Sequence, residues 1–76
     1  MQIFIRTLVG KKVPYTVELT DTILRLKEIL QEKEGIQVEQ VRLIYGGKQL
    51  EDSKTIQSSQ VEAGSTLHMI LQLRGG

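Results

Sequence analysis

The sequence predicts an α+β roll, a mixed four- to five-stranded sheet packed on one helix. Met1, Ile3 and Ile5 within residues 1–7, and Leu67, Met69, Leu71 and Leu73 within 67–73, recur at every second position, the period of strands with one buried face. Between them, the stretch from Ile23 carries apolar residues at the 3.6-residue period of a helix that covers such a face. With 76 residues and no cysteine, the chain makes one domain without the disulfides or thiolate metal sites that staple small proteins. Such a domain buries only about 60 to 65% of its unfolded surface, so strands and helix must share one well packed core.

Met1, Ile3 and Ile5 face one way and Gln2, Phe4 and Arg6 the other, which places Phe4 in solvent. Leu8 to Lys11 form a turn with Gly10 as its flexible point, and Val13, Tyr15 and Val17 make the returning arm of a hairpin. Pro14 cannot donate a ladder hydrogen bond, so this arm belongs at a sheet edge with position 14 facing away from its partner. Thr20, Asp21 and Thr22 offer caps for a helix beginning near Ile23, and Gly35 ends it. Ile23, Leu26 and Leu30 form its stripe, flanked by Ile29, while Glu28, Glu32, Lys33 and Glu34 take the wet side. Lys27 is expected to cover its stem and keep its ammonium in water, and Leu24, off the stripe, to be partly exposed.

After an irregular stretch at 36–40, V-R-L-I-Y turns Val41, Leu43 and Tyr45 inward and Arg42 and Ile44 outward. Gly46 and Gly47 lead into K-Q-L, leaving Lys48 on an exposed hairpin beside Ile44's face. Residues 51–60 are polar, with room for one short helical turn near Ile56 and Gln57. Glu62, Ala63 and Gly64 turn the chain into its last strand, where Leu67, Met69, Leu71 and Leu73 alternate with His68, Ile70, Gln72 and Arg74. The first and last strands can then lie side by side at the centre of the sheet, the β-grasp arrangement.

A net charge of +1 exerts no general pull on nucleic acid or anionic membranes, and no apolar run approaches the roughly 20 residues of a membrane span. The start, MQIFIRT, lacks the basic and long apolar regions of a signal peptide, so cytoplasm and nucleus are the expected setting. His68 could serve Ser58, Ser59 or Ser65 as a base, yet no glycine-framed nucleophile elbow accompanies them. Carboxylate pairs such as Glu51 and Asp52 read as solvated charge, one histidine makes no zinc site, and no phosphate-cradling motif occurs. An enzyme, a metal and a cofactor are therefore not expected.

The tail and the outward face say more. Gly75 and Gly76 follow Arg74 with no chain beyond for a turn to redirect, which makes a thin tail able to thread a narrow active site. The expected division is a domain over 1–72 and a flexible C-terminal tail over 73–76. Leu8, Ile44, His68 and Ile70 all point outward and would form one apolar patch, rimmed by Arg42, Lys48 and Arg74, of the kind that binds proteins.

These residues resemble the ubiquitin family, including its Nedd/Rub-type modifiers. The resemblance spans all 76 positions and rests on M-Q-I-F at the start, K-E-G-I at 33–36, R-L-I at 42–44, G-K-Q-L-E-D at 47–52, S-T-L-H at 65–68 and the terminal L-R-G-G. It implies the β-grasp fold and a covalent tag. An activating enzyme would adenylate the Gly76 carboxylate and take it as a thioester; conjugating and ligase enzymes would deliver it to a substrate lysine as an isopeptide. Processing proteases would trim a precursor after Gly76, and receptor domains would read a free monomer or a conjugate through Leu8, Ile44, His68, Ile70 and Arg42. Ile36, Leu71 and Leu73 match a second patch, and Gln2 and Phe4 a smaller third. Lys48, Lys11, Lys27 and Lys33 match chain-forming lysines, Lys48 best placed among them.

Departures from ubiquitin are specific. Arg6, Ile29 and Ala63 replace chain-forming lysines, Ser59 replaces a tyrosine, and Gln37 and Val38 replace a proline pair. Gln72 replaces ubiquitin's arginine and the Nedd/Rub branch's alanine at a position that, with Arg74, activating enzymes use to choose their modifier. Tyr45, Arg25, Glu28, Glu32, Lys54 and Gly64 lean toward Nedd/Rub; Gln2, Phe4, Gln31, Glu51 and Thr66 lean toward ubiquitin. The alternatives are a Nedd/Rub-type tag of cullin-like ligase subunits, a β-grasp sulfur carrier, and a non-covalent ubiquitin-like binding domain.

Overall fold

A computed structural model describes residues 1–72. Five strands and one helix follow one another as β1 (Gln2–Arg6), β2 (Lys12–Thr16), α1 (Ile23–Glu34), a short 3-10 turn (Val38–Gln40), β3 (Val41–Tyr45), β4 (Lys48–Gln49) and β5 (Thr66–Leu71). The strand order β2-β1-β5-β3-β4 puts the last strand in the middle, parallel to β1 and antiparallel to β3. This is the β-grasp roll, with α1 packed on the sheet's inner face through Ile23, Leu26 and Leu30.

The β2 edge confirms the reading of Pro14. Met1 and Val17 exchange hydrogen bonds of 2.7 and 2.8 Å, so pairs of the same parity, such as Ile3 with Tyr15 and Ile5 with Val13, carry the ladder. Pro14 lies opposite Phe4 in the intervening non-bonded pair, and the Phe4 N–H turns instead to the Ser65 carbonyl at 2.8 Å. Phe4, expected in solvent, is half-buried, since the Lys12 ammonium lies 4.8 Å from its ring centre.

The start of α1 satisfies each of its first four N–H groups. Lys54 and Asp52 carbonyls accept from Ile23 and Leu24, the Thr22 hydroxyl from Arg25, and the Thr22 carbonyl from Leu26. Gly35 closes the helix at φ 71°, donating to the Gln31 carbonyl at 2.9 Å. The β3–β4 turn places both Gly46 and Gly47 at positive φ, 60° and 79°, the mirror-image turn that matches strand twist.

Two further expectations, on Lys27 and Leu71, need correction. Lys27 is 2% exposed rather than snorkelling, because it occupies position i+4 of the Ile23 stripe and faces the core; its Nζ meets Asp52 Oδ1 at 2.5 Å. Leu71 shares the inward parity of Leu67 and Met69 but ends β5 outside the core cluster, and it is 39% exposed. The polar 51–60 stretch forms hydrogen-bonded turns, with the expected helical turn closed by the Ser59 N–H on the Thr55 carbonyl at 3.0 Å; Ile56 in it is fully buried, and Leu50 and Val61 at its borders are buried too. Ile56 and Gln57 donate to the Asp21 and Leu19 carbonyls, so this segment is pinned across the helix entrance. Lys48 stands exposed on its hairpin beside the Ile44 face, as expected: it pairs with Tyr45, while Gln49 lies opposite Ile44 and shares the patch's face.

Among the described residues the Tyr15 hydroxyl is buried without a partner, and burial, helped by the nearby Glu34 carboxylate, raises its pKa above 10.0. Tyr15→Phe removes that unpaired group and should raise stability by about 1 kcal/mol in urea unfolding. The sign with pH follows from the raised value. Its contribution is complete below the unfolded pKa and is lost as pH rises through the folded one, because the unfolded chain releases the phenolic proton first. The Phe variant should therefore lose less stability than the parent between about pH 8 and about pH 11; an equal or larger loss would contradict this account.

Candidate functional site

The sheet's outer face gathers the predicted patch by register. Ile44 lies directly opposite His68, and Arg42 opposite Ile70, across the antiparallel β3–β5 pair. On the other side of β5, Arg6 is the parallel neighbour of His68. The β1–β2 turn that follows carries Leu8, 46% exposed, past the same end of β5, where Ile70 is 47% exposed. That turn is braced by Thr7 and Lys11, whose backbones bond at 2.8 Å, and by the Arg6 guanidinium, which donates to the Gly10 carbonyl at 3.0 Å.

Ile44 is half-buried between its strand neighbours, and Arg42 is pinned by donation from Nη1 to the Glu39 and Val41 carbonyls, each at 3.1 Å. The result is an apolar row with cationic groups at both ends, on the side of the sheet that the helix does not cover. Sequence reasoning missed Val9, 86% exposed at the tip of the turn, and Gln49; the hairpin register that brings Gln49 into the face follows from a two-residue turn at Gly46 and Gly47.

The remaining site residues divide clearly. Ile36 is half-buried against the core and Leu71 is exposed, while Leu73, the third member of that patch, lies outside the described residues. So do Arg74, Gly75 and Gly76, and with them the expected conjugation tail. Gln72 is exposed, but its backbone N–H is held by the Gln40 carbonyl at 2.7 Å, which fixes the path of the chain leaving the sheet. Of the four expected acceptor lysines, Lys11, Lys33 and Lys48 are exposed and Lys27 is buried.

Catalytic constellations do not assemble among the described residues. The Ser65 hydroxyl is taken by the Tyr45 hydroxyl at 3.0 Å, and the Ser58 hydroxyl is engaged by Thr55. His68 stands on the outer sheet face beside Ile44 and Arg6, with neither serine paired to it. Among the described residues no group of three or more histidine or acidic side chains could hold a metal, and no helix is long and apolar enough to cross a membrane.

A β-grasp roll that offers one apolar, basic-rimmed sheet face defines a small recognition protein of the ubiquitin-like class. The comparisons are specific: the chain belongs to the ubiquitin family, whose model matches residues 3–74. It is 49% identical over its whole length to "Ubiquitin-like protein NEDD8" of Dictyostelium discoideum, covering 99% of that protein. It is 49% identical to "NEDD8-like protein RUB3" of Arabidopsis thaliana and 41% to "NEDD8-like protein RUB1" of Saccharomyces cerevisiae, again over all 76 residues and 97% and 99% of those proteins. The chain is accordingly a ubiquitin-like modifier, a protein tag rather than an enzyme.

The burial of Lys27 has a chemical consequence. Under limited acetylation of the folded protein, read by peptide mass spectrometry, Lys27 should react at least about tenfold more slowly than Lys11, Lys33 or Lys48, since its reaction requires local opening of about 1.4 kcal/mol or more. Equal labelling would place the Lys27 ammonium in solvent and overturn the ion pair with Asp52.

Proposed function

We propose that this chain is conjugated on a NEDD8/Rub-type pathway, through the carboxylate of Gly76, to lysines of cullin-like ligase subunits. The observation that carries this reading is full-length similarity to proteins named NEDD8 and Rub, together with the L-R-G-G motif at 73–76. In this reading the Gly76 carboxylate attacks the α-phosphorus of ATP with loss of pyrophosphate. The resulting acyl adenylate passes to an activating-enzyme cysteine with loss of AMP, then to a conjugating-enzyme cysteine. Finally a lysine amine, assisted by a ligase, displaces the thiolate to form the isopeptide. The nucleophilic sulfurs and the nucleotide site belong to those enzymes, which accords with a chain that has no cysteine.

Gly75 and Gly76 lack Cβ atoms, which suits passage through a narrow channel, and Gln72 with Arg74 is the pair on which an activating enzyme would act to choose the chain. Receptors and processing proteases would engage Leu8, Ile44, His68, Ile70 and Arg42, and Ile36, Leu71 and Leu73 would serve as a second surface. Lys48, Lys11 and Lys33 are the acceptors for further tags. The free chain is proposed to be a monomer, acting in cytoplasm and nucleus.

The test is thioester charging with ATP by the NEDD8/Rub-activating and ubiquitin-activating enzymes of one organism. Charging is expected with the former, and charging by the ubiquitin-activating enzyme alone would overturn the branch assignment. Gly76→Ala should slow charging on the order of tenfold or more, a loss above about 1.4 kcal/mol of transition-state stabilisation, without lowering the unfolding midpoint. Ile44→Ala should leave activation largely intact yet weaken receptor binding by about tenfold or more, as for a central interface residue. Unchanged binding across several receptors would sink the patch assignment.

A further inference from the structure

The helix side of the molecule carries a second surface with the opposite charge. A cleft of about 460 Å³ runs between α1 and the 3-10 turn, lined by Leu24, Arg25, Glu28, Gln31, Glu32, Val38 and Glu39. The Gln31 side-chain oxygen accepts from the Val38 N–H at 3.2 Å and ties the turn to the helix, so the two walls are held together. Leu24 is 39% exposed, off the stripe that faces the core, and Val38 is half-buried on the facing wall.

The cleft therefore has an apolar element on each wall, and its charge is uneven. Glu28, Glu32 and Glu39 oppose one cation, Arg25, which already lies 3.6 Å from Glu28. Among the described residues Glu32 and Glu39 form no ion pair, in a chain whose net charge is +1. The nearby Lys27 offers no compensation, because it is buried against Asp52.

We propose that this cleft is a docking site for a basic amphipathic peptide segment of a partner protein, with aliphatic side chains on Leu24 and Val38 and arginine or lysine against Glu32 and Glu39. Charge complementarity selects that occupant: a segment bearing carboxylates would meet like charge, and a purely apolar one would cover carboxylates without pairing them. The cleft lies on the helix side, whereas Ile44 and Ile70 lie on the opposite face of the sheet. A partner in the cleft leaves the apolar patch open, so one tag can be held by two proteins at once.

The experiment is a titration of the 15N-labelled protein with a short amidated peptide placing leucine and arginine at i, i+4 helical spacing, and with a control carrying glutamate for arginine. The expected result is amide shifts clustered at Leu24, Glu28, Val38 and Glu39 for the arginine peptide alone, weakening as salt rises. Glu32→Lys with Glu39→Lys should weaken binding by about tenfold or more, and Leu24→Ser by a smaller factor. Those sites lie on the surface, and an unchanged unfolding midpoint and dispersed spectrum would confirm that the variants fold. Shifts centred on Leu8, Ile44 and Ile70, equal binding of the glutamate peptide, or binding indifferent to the double reversal would overturn the proposal. So would concentration-dependent shifts at the cleft without peptide, which would make a second copy the occupant.

Discussion

The parallel pairing of β1 with β5 is the constraint from which the rest of the structure follows. Parallel neighbours cannot be joined by a tight turn and need a long crossover on one face. Here residues 7–65 make up that crossover, and they include the helix, both edge strands and the loop that closes the core. The join begins where Gly64 donates to the Gln2 carbonyl and Phe4 to the Ser65 carbonyl, each at 2.8 Å. Because the crossover lies on one side, the sheet's other side is left open along its central strands. The open side is the one that carries Ile44, His68 and Ile70, so the topology itself reserves a surface for partners.

A second dependence lies at the helix entrance. The turns from Leu50 to Val61 look expendable by composition, yet their carbonyls accept from the first residues of α1 and their amides donate back to Leu19 and Asp21. Ile56 is anchored in the core beneath them. The Lys27–Asp52 pair belongs to the same arrangement, since Asp52 supplies both a carbonyl to Leu24 and a carboxylate to the buried ammonium. A buried charge of this kind is tolerated because it is paired, and losing the carboxylate would leave it costly. The pair thus ties the helix to the loop that its own N-terminus requires.

What the sequence disclosed divides along the same lines. Alternation identified β1, β2, β3 and β5, the cap residue and Gly35 bounded α1, and Pro14 located the edge, because each of these signals is local. The strings M-Q-I-F, G-K-Q-L-E-D and L-R-G-G pointed to the family that the full-length comparisons establish. Lys27 was misjudged because a charged residue at a stripe position is buried only when a distant carboxylate meets it, and Asp52 lies 25 residues away in sequence. Leu71 was misjudged because alternation states which way a side chain faces but not whether anything covers it. Ile56 and Val61 were hidden among polar neighbours, since an irregular segment has no period to reveal which residue turns inward. The patch was legible as a set of outward residues, but its assembly depends on the β3–β5 register, which only pairing can supply.

Gln72 occupies a mechanically distinct position. Its N–H bond to Gln40 is the final tie between the chain and the sheet among the described residues, so its side chain leaves from a fixed point. In the proposed pathway that is where an activating enzyme would inspect the tag. An enzyme whose site offers a carboxylate to ubiquitin's arginine would find a neutral amide there, without the paired charge-assisted bonds that a guanidinium makes. The carboxylate would be desolvated without its countercharge, a cost of about 1 to 3 kcal/mol, equivalent to roughly one to two powers of ten in affinity. A site shaped for a small apolar residue meets a different obstacle, since it must house a longer polar side chain whose amide needs partners. In the proposed pathway, rejection at position 72 would therefore work through unsatisfied groups rather than clash alone, and a single side chain on a fixed backbone would suffice to separate modifier pathways that share one fold.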